Sequence, residues 1–304
     1  MSPLRGVAFK LASVFLFVIM ASLIKASAAH VPTGQAVFFR SFFAMPVIVA
    51  WLLWRGDLAT GLRAERPLGH VWRGVIGVSA MGCGFAALGL LPLPEVTALG
   101  YAAPLLTVLF AAALLGERLR AFRLTAVGIG LVGVLIVLWP RLGAAGADRI
   151  AVLGVVLVLV SATLRALAQI HIRKLVQTEQ TSAIVFYFSL TATVFSLATI
   201  PFGWVWPTPA EAAMLVGAGL IGGVAQILIT SAYRHAEAAL LAPFDYASIL
   251  FAILIGYVVF AEVPTLPMLT GSSVVILAGV VIIWRERQLG LKRGQARPGM
   301  TPQG

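Results

Sequence analysis

Along the chain, apolar residues come in runs of about 20, bounded by short clusters of Gly, Pro and charged residues. A helical run of that length, rising about 1.5 Å per residue, matches a hydrocarbon core about 30 Å thick. The runs predict helices near residues 6–28, 35–54, 71–91, 95–115 and 121–139, then near 151–173, 181–202, 211–233, 238–260 and 266–285. The expected architecture is an all-α integral membrane protein with ten transmembrane helices, in which loops of a few residues make neighbours antiparallel. Arg5 and Lys10 before the first run, and Ala26-Ser27-Ala28 after it, have the outline of a cleaved signal peptide. Lys25 beside the supposed cleavage point and the many runs downstream favour an uncleaved first helix instead.

Basic residues orient this set. They gather at alternate boundaries, with Arg55, Arg63, Arg66 and Arg73, then Arg118, Arg120 and Arg123, then Arg173 and Lys174, then Arg234, while the opposite loops hold Arg141 and Arg149. Short basic loops stay in the cytoplasm, so both termini are expected there, in a cytoplasmic (inner) membrane. Trp54, Trp72, Trp139, Trp204, Trp206 and Trp284 fall near helix ends, where an interfacial belt needs them. Residues 286–304, rich in Gly, Pro, Gln and basic residues, are expected to form a disordered basic cytoplasmic tail.

The pattern repeats. Setting Gly6 on Gly154 aligns Val37-Phe38-Phe39-Arg40-Ser41 with Val185-Phe186-Tyr187-Phe188-Ser189, and a further small shift aligns Tyr101 with Tyr246 and Gly116-Glu117 with Ala261-Glu262. Residues 1–140 and 150–285 are then two five-helix units. Because five is odd, the units must be inverted relative to one another, which supplies two near-equivalent packings, the physical basis of alternating access.

Composition excludes other classes. The chain of 304 residues is 60% hydrophobic and 11% charged, too apolar for a water-soluble fold. Its formal net charge of +11 sits in loops and tails, so it reports orientation and not nucleic-acid binding. Cys83, the single cysteine, lies inside an apolar run and leaves no disulfide. His30, His70, His171 and His235 are scattered without metal-ligand spacing, and no phosphate loop, dinucleotide fingerprint or nucleophile elbow occurs. Neither a metal nor a cofactor is expected, no residue is assigned to catalysis, and ATP-driven pumping within this chain is excluded.

A lone charge at mid-bilayer costs roughly 2.5–3.5 kcal/mol on insertion scales, so intramembrane charges mark partners or wet cavities. Ser161, Arg165, Gln169 and Arg173 share one stripe of a helix. Arg165 and Gln169 either attract a substrate carboxylate in a water-filled path or are met by backbone carbonyls. Lys25 and Arg40 lie near helix ends and suit a structural or gating role. Asp245 suits a substrate amine or a coupling proton; alternatively it caps a kinked helix and pairs with Arg234 or His235. Tyr101 and Tyr246 combine an apolar ring with a hydroxyl that needs a partner, as cavity lining does. Met81, Phe85, Phe38 and Tyr187 are candidates for an apolar pocket, against plain packing. Pro104 and Pro243 are candidate hinges. Gly219 and Gly223 form a GxxxG pair that indicates close packing without specifying a dimer.

Lys25, Phe38-Phe39-Arg40, Tyr101-Ala-Ala-Pro104 and Leu115-Gly116-Glu117-Arg118-Leu119, with Gly128 to Gly133 in the next helix, resemble the drug/metabolite transporter superfamily, specifically its ten-helix EamA-type permeases. The resemblance covers about residues 6–285 and is strongest to the branch that exports aromatic amino acids. It implies export of amino acids, aromatic and other apolar ones, from the cytoplasm. The second unit departs from the family pattern, with Ala261 where a glycine would precede the glutamate. A permease for another small metabolite or drug is the alternative, and an intramembrane enzyme is disfavoured because carboxylates and histidines do not cluster. The expected partners are the lipid bilayer and a small-molecule substrate.

Overall fold

The computed structural model describes residues 3–115, 121–142, 149–175, 178–236 and 238–295. Gly116, Glu117, Arg118, Leu119 and Arg120, and residues 296–304 of the expected tail, lie outside the described residues, as do the side chains of Arg123, Arg141, Arg173, Lys174 and Arg234.

Among the described residues the chain is helical, with no strand. The helices are α1 (Pro3–Ser27), α2 (Thr33–Phe42), α3 (Ala44–Trp54), α4 (Leu58–Gly61), α5 (Pro67–Leu90), α6 (Leu93–Gly100), α7 (Ala102–Leu115) and α8 (Ala121–Leu142). They continue with α9 (Arg149–Leu175), α10 (Thr181–Leu197), α11 (Pro209–His235), α12 (Ala238–Leu241), α13 (Ala247–Phe260) and α14 (Leu266–Gln295). Short 3₁₀ turns cover Ile200–Phe202 and Ala242–Tyr246. Seven segments are long and apolar enough to cross a membrane, and three shorter apolar helices, Leu124–Pro140, Thr181–Leu197 and Leu266–Ile282, run beside them. Each lies at a window read from the sequence. Large apolar side chains such as Leu135, Leu250, Val258 and Leu277 are exposed on the outside, as a lipid-facing surface requires.

Three windows expected as single helices are interrupted, and proline explains where. A proline inside a helix removes one hydrogen bond and clashes with the carbonyl four residues back. Four residues before Pro46 is Phe42, the last residue of α2; four before Pro104 is Gly100, the last residue of α6. Pro243 sits in the 3₁₀ turn that separates α12 from α13. Pro46, inconspicuous in its apolar run, thus has the same effect as Pro104 and Pro243.

The α14 helix runs on through residues 286–295, the first part of the segment expected to be a disordered tail. The stretch Arg285-Glu-Arg-Gln-Leu consists of good helix formers, and the Arg285 guanidinium donates to Gln288 Oε1 one turn on.

Glycines set the closest approaches. A Cβ at Gly219 would stand 2.8 Å from the Phe39 carbonyl, and one at Gly223 3.2 Å from that of Ala44. The GxxxG pair of α11 therefore receives the interrupted α2–α3 helix of the same chain. Gly133 of α8 and Gly271 of α14 meet in the same way, each Cβ position falling within 3 Å of the other's carbonyl oxygen.

Antiparallel pairing of α5 with α9 is fixed by three levels of contact. His171 Nε2 lies 3.1 Å from the Gly69 carbonyl, Ser161 Oγ donates to that of Ala80 at 2.7 Å, and Gly154 packs on Leu91. The starts of α1 and α5 define the amino-terminal face of the bundle, and the opposite one is the far face.

Candidate functional site

Two of the helix interruptions meet inside the bundle. Tyr101, between α6 and α7, and Tyr246, before α13, stack with ring centroids 4.7 Å apart and planes 29° from parallel. The Tyr101 hydroxyl donates to the backbone carbonyl of Asp245 and lies 2.7 Å from Ser248 Oγ. Breaking a helix frees carbonyls, and here a tyrosine from the other break takes up one of them. Tyr246 is buried at 8% exposure with its hydroxyl against Gly279 of α14, whereas Tyr101 is only partly buried.

Asp245 carries the negative charge of this region. Its carboxylate lies 2.7 Å from Lys10 Nζ of α1; the lysine side chain is 1% exposed and the aspartate side chain 41%. Asp245 therefore pairs with a lysine that the sequence offers only as an orienting charge. One partner is sealed in while the other faces open space, so a second cation reaching this place approaches Asp245 directly.

Arg165 carries the positive charge. Arg165 and Gln169 stand about two and three turns beyond Val158 on α9, on the side that buries Val158 and Ala162, while Leu153, Val156 and Val160 face outward. Both polar side chains are nevertheless exposed. A side chain that points inward and still reaches solvent lines a cavity. A methyl group on Gly100 would stand 3.0 Å from Arg165 Nη2, so the guanidinium lies against the α6–α7 break beside Tyr101.

Toward the far face the bundle is tied shut. Lys25 Nζ, at the end of α1, donates to the carbonyls of Leu88 at 3.1 Å and Leu91 at 2.7 Å and lies 2.9 Å from Glu262 Oε1. Glu262 Oε2 accepts from the Leu93 amide at 2.9 Å. One cation and one carboxylate thus join α1, the α5–α6 junction and the end of α13. Ala261 makes this possible by adopting the left-handed conformation (φ 53°), which lets the Glu262 amide donate back to the Gly256 carbonyl at 2.9 Å.

Arg40 and Arg73 form a second basic cluster. Arg40, at the end of α2, is 7% exposed; its guanidinium lies 5.7 Å from the centroid of the Phe188 ring, and that of Arg73 lies 4.1 Å from it. Arg73, a boundary charge by its place in the sequence, sits inside α5, beneath Phe188 of α10.

The four residues suggested as one apolar pocket are not brought together. Phe38 packs on Phe39, Phe42 and Trp204, its ring 5.3 Å from the tryptophan. Tyr187 lies toward the amino-terminal face, its ring 4.9 Å from that of His70 and its hydroxyl donating to the Leu62 carbonyl. Met81 and Phe85 pack together in the core around Val18, Ile24 and Leu215. Trp204 is more than an interfacial anchor, since its Nε1 donates to Thr199 Oγ1 at 2.8 Å.

On the amino-terminal face Glu179 caps α5. Its Oε1 accepts from the amides of Glu65 at 2.9 Å and Arg66 at 2.5 Å, and its Oε2 lies 3.2 Å from His70 Nε2. Burial opposes its charge, but the two amides and His70 outweigh that effect and hold the carboxyl below the usual carboxylate range. Among the described residues, no group of three His, Cys, Asp or Glu stands close enough to hold a metal ion.

A multi-pass apolar bundle with opposed charges around a broken-helix centre, closed at one face, is the form of a membrane transport protein. The profile of the EamA-like transporter family matches residues 4–139 and 152–285, and the chain belongs to that family. It is 30% identical to the pseudopaline exporter CntI of Pseudomonas aeruginosa over 91% of this chain and 95% of that protein. Further relatives are the S-adenosylmethionine uptake transporter of Rickettsia bellii, 26% identical over 85% of this chain and 86% of that protein, and the riboflavin transporter of Rhizobium johnstonii, 27% identical over 84% and 82%. A crystal structure that is 24% identical shares the fold, with a TM-score of 0.66 over 93% of this chain and 98% of that one. These matches support the family and not its aromatic amino acid exporting branch, since none of the three relatives bears the name of such an exporter.

Proposed function

We propose that this EamA-family protein is a secondary transporter that carries an amino acid, or a metabolite built on one, out of the cytoplasm by alternating access. The observation that supports this reading most is that opposite charges, Arg165 and Asp245, both stand next to the Tyr101–Tyr246 pair. Arg165 lies against Gly100, the residue before Tyr101, and Asp245 precedes Tyr246 and accepts from the Tyr101 hydroxyl through its backbone carbonyl. A zwitterion set beside the pair meets Arg165 with its carboxylate and Asp245 with its amine, while an apolar side chain covers the Tyr101 ring.

In this reading ten helices form two inverted units, both termini face the cytoplasm, and the Lys25–Glu262 pair is the latch on the outer side. The conformation is then closed outward, with Arg165, Gln169 and Asp245 reached from within. A related exporter and a related uptake transporter support carriage without fixing its direction. The basic clusters at the amino-terminal face support placing that face in the cytoplasm.

Counterflow into proteoliposomes preloaded with unlabelled amino acids tests the proposal. Accumulation of a labelled amino acid above protein-free vesicles is the expected result. Absence of accumulation across aromatic, aliphatic and charged amino acids, with folded protein, would move the cargo to another metabolite.

A further inference from the structure

We propose that Arg40 and Arg73 form an anion-binding subsite within the bundle, so that the cargo carries a second anionic group besides the carboxylate met by Arg165; this rests on the transport reading above. The two guanidiniums share the Phe188 ring, at 5.7 and 4.1 Å from its centroid. Arg40 Nε, Arg73 Nε and Arg73 Nη1 are buried and have no hydrogen-bond partner among the described residues. The described residues also place no carboxylate in an ion pair with either arginine. Two like charges therefore stand together in the span, held by a π face that softens their repulsion without cancelling it.

The surroundings place this cluster inside the protein. Gly222 of α11 leaves room beside Arg40 Nε, with Met20 of α1 next to it, and Gly77 of α5 leaves room for Arg73 Nη1. Phe188 closes the side toward α10. Buried, unpaired fork donors on two helices suit an oxyanion that accepts from both.

The cluster and Arg165 also stand at nearly one depth. On the antiparallel pair α5 and α9, Ala80 is level with Ser161. Moving toward the amino-terminal face, Arg73 is about 10 Å from that level and Arg165 about 6 Å, at 1.5 Å per residue. A similar depth is what one elongated cargo needs in order to engage both. The group that Arg40 and Arg73 take is a carboxylate or a phosphate, since both present paired oxygens to a guanidinium fork.

The test is thermal unfolding of the full chain in nanodiscs of zwitterionic lipid, titrated at constant ionic strength with glutarate, glycerol phosphate, inorganic phosphate or acetate. A saturable rise in midpoint with glutarate or glycerol phosphate, larger than with acetate, is expected. It is lost in R40Q and R73Q and kept in R55Q, which removes an arginine at the surface. Glutarate acting alone identifies a carboxylate subsite, and the phosphates acting alone a phosphate subsite.

A second measurement needs no variant: phenylglyoxal labelling of Arg40 and Arg73 in the wild type, read by mass spectrometry, slows at least threefold when the effective anion is present. No anion-specific rise, a rise unchanged in both variants, or labelling that is absent or unprotected overturns the subsite. Counterflow on the wild type is a separate readout. Saturable anion binding without carriage of any cargo leaves the subsite standing and removes the transport reading, whereas carriage without arginine-dependent binding does the reverse.

Discussion

Tyr101 and Tyr246 stack at 4.7 Å across two helix interruptions, and the hydroxyl of the first is bonded to the chain just before the second. The pair therefore does two things: it satisfies backbone freed by a broken helix, and it presents the partly exposed Tyr101 ring beside a cation and an anion. Removing the hydroxyl and removing the ring separate the two. Y101F keeps the stack and loses the bonds to the Asp245 carbonyl and Ser248, which costs roughly 1 kcal/mol of stability. Y101A also removes the ring, and counterflow falls much further than in Y101F. Equal activity in both variants would show that the ring takes no part in carriage.

The Lys25–Glu262 latch predicts a change of access. E262Q keeps the shape of the side chain and loses the charge facing Lys25 and the Leu93 amide, weakening the closed far face by roughly 1–2 kcal/mol, or about tenfold in population. With Cys83 replaced by alanine and a cysteine at Val96, labelling by a membrane-impermeant maleimide from the far side should rise by that order. Labelling that stays at the wild-type rate would mean that other contacts hold this face.

Ala261 is the one non-glycine residue with positive φ among those described. The left-handed conformation costs an L-residue roughly 1–2 kcal/mol, and glycine escapes it. A261G is expected to raise the thermal midpoint by a few degrees, corresponding to about 1 kcal/mol, while leaving the Glu262 contacts in place. A lower midpoint would show that the alanine methyl makes a contact worth more than the strain.

Glu179 predicts a dependence on pH. Its folded pKa is depressed, so its contribution is complete above the pKa it has when unfolded and is lost as pH falls through the lower folded value. Wild-type stability should therefore decline below the ordinary carboxylate range more steeply than that of E179Q, which is less stable at neutral pH by about 1 kcal/mol through its weaker cap of α5. Parallel stability–pH curves for the two would show that the charge contributes nothing.

Much of the fold can be read in the chain because bilayer thickness sets the run length. The matched positions of Tyr101 and Tyr246 pair two residues that turn out to touch. What escapes is chemistry hidden by a rule that works on average. Counting basic residues near helix ends treats each as interfacial, and so gives Arg73 and Lys10 an orienting role, although one lies under Phe188 and the other is sealed against Asp245. Glu262 is legible as half of a motif, yet its partner, Lys25, is brought to it only by packing of α1 against α13. Phe38 and Tyr187 belong to the aligned aromatic clusters, yet they pack against Trp204 and His70 respectively, partners that an alignment of the two runs does not indicate.

The central claim, that the site holds a zwitterion between Arg165 and Asp245, is tested most directly by competition in counterflow, using phenylalanine, phenylpropionate and phenethylamine against a labelled cargo. Strong competition by phenylalanine, and at least tenfold weaker competition by the compounds lacking either the amine or the carboxylate, is the predicted result. Equal competition by all three would show that the rings alone recognise the cargo and would contradict the claim.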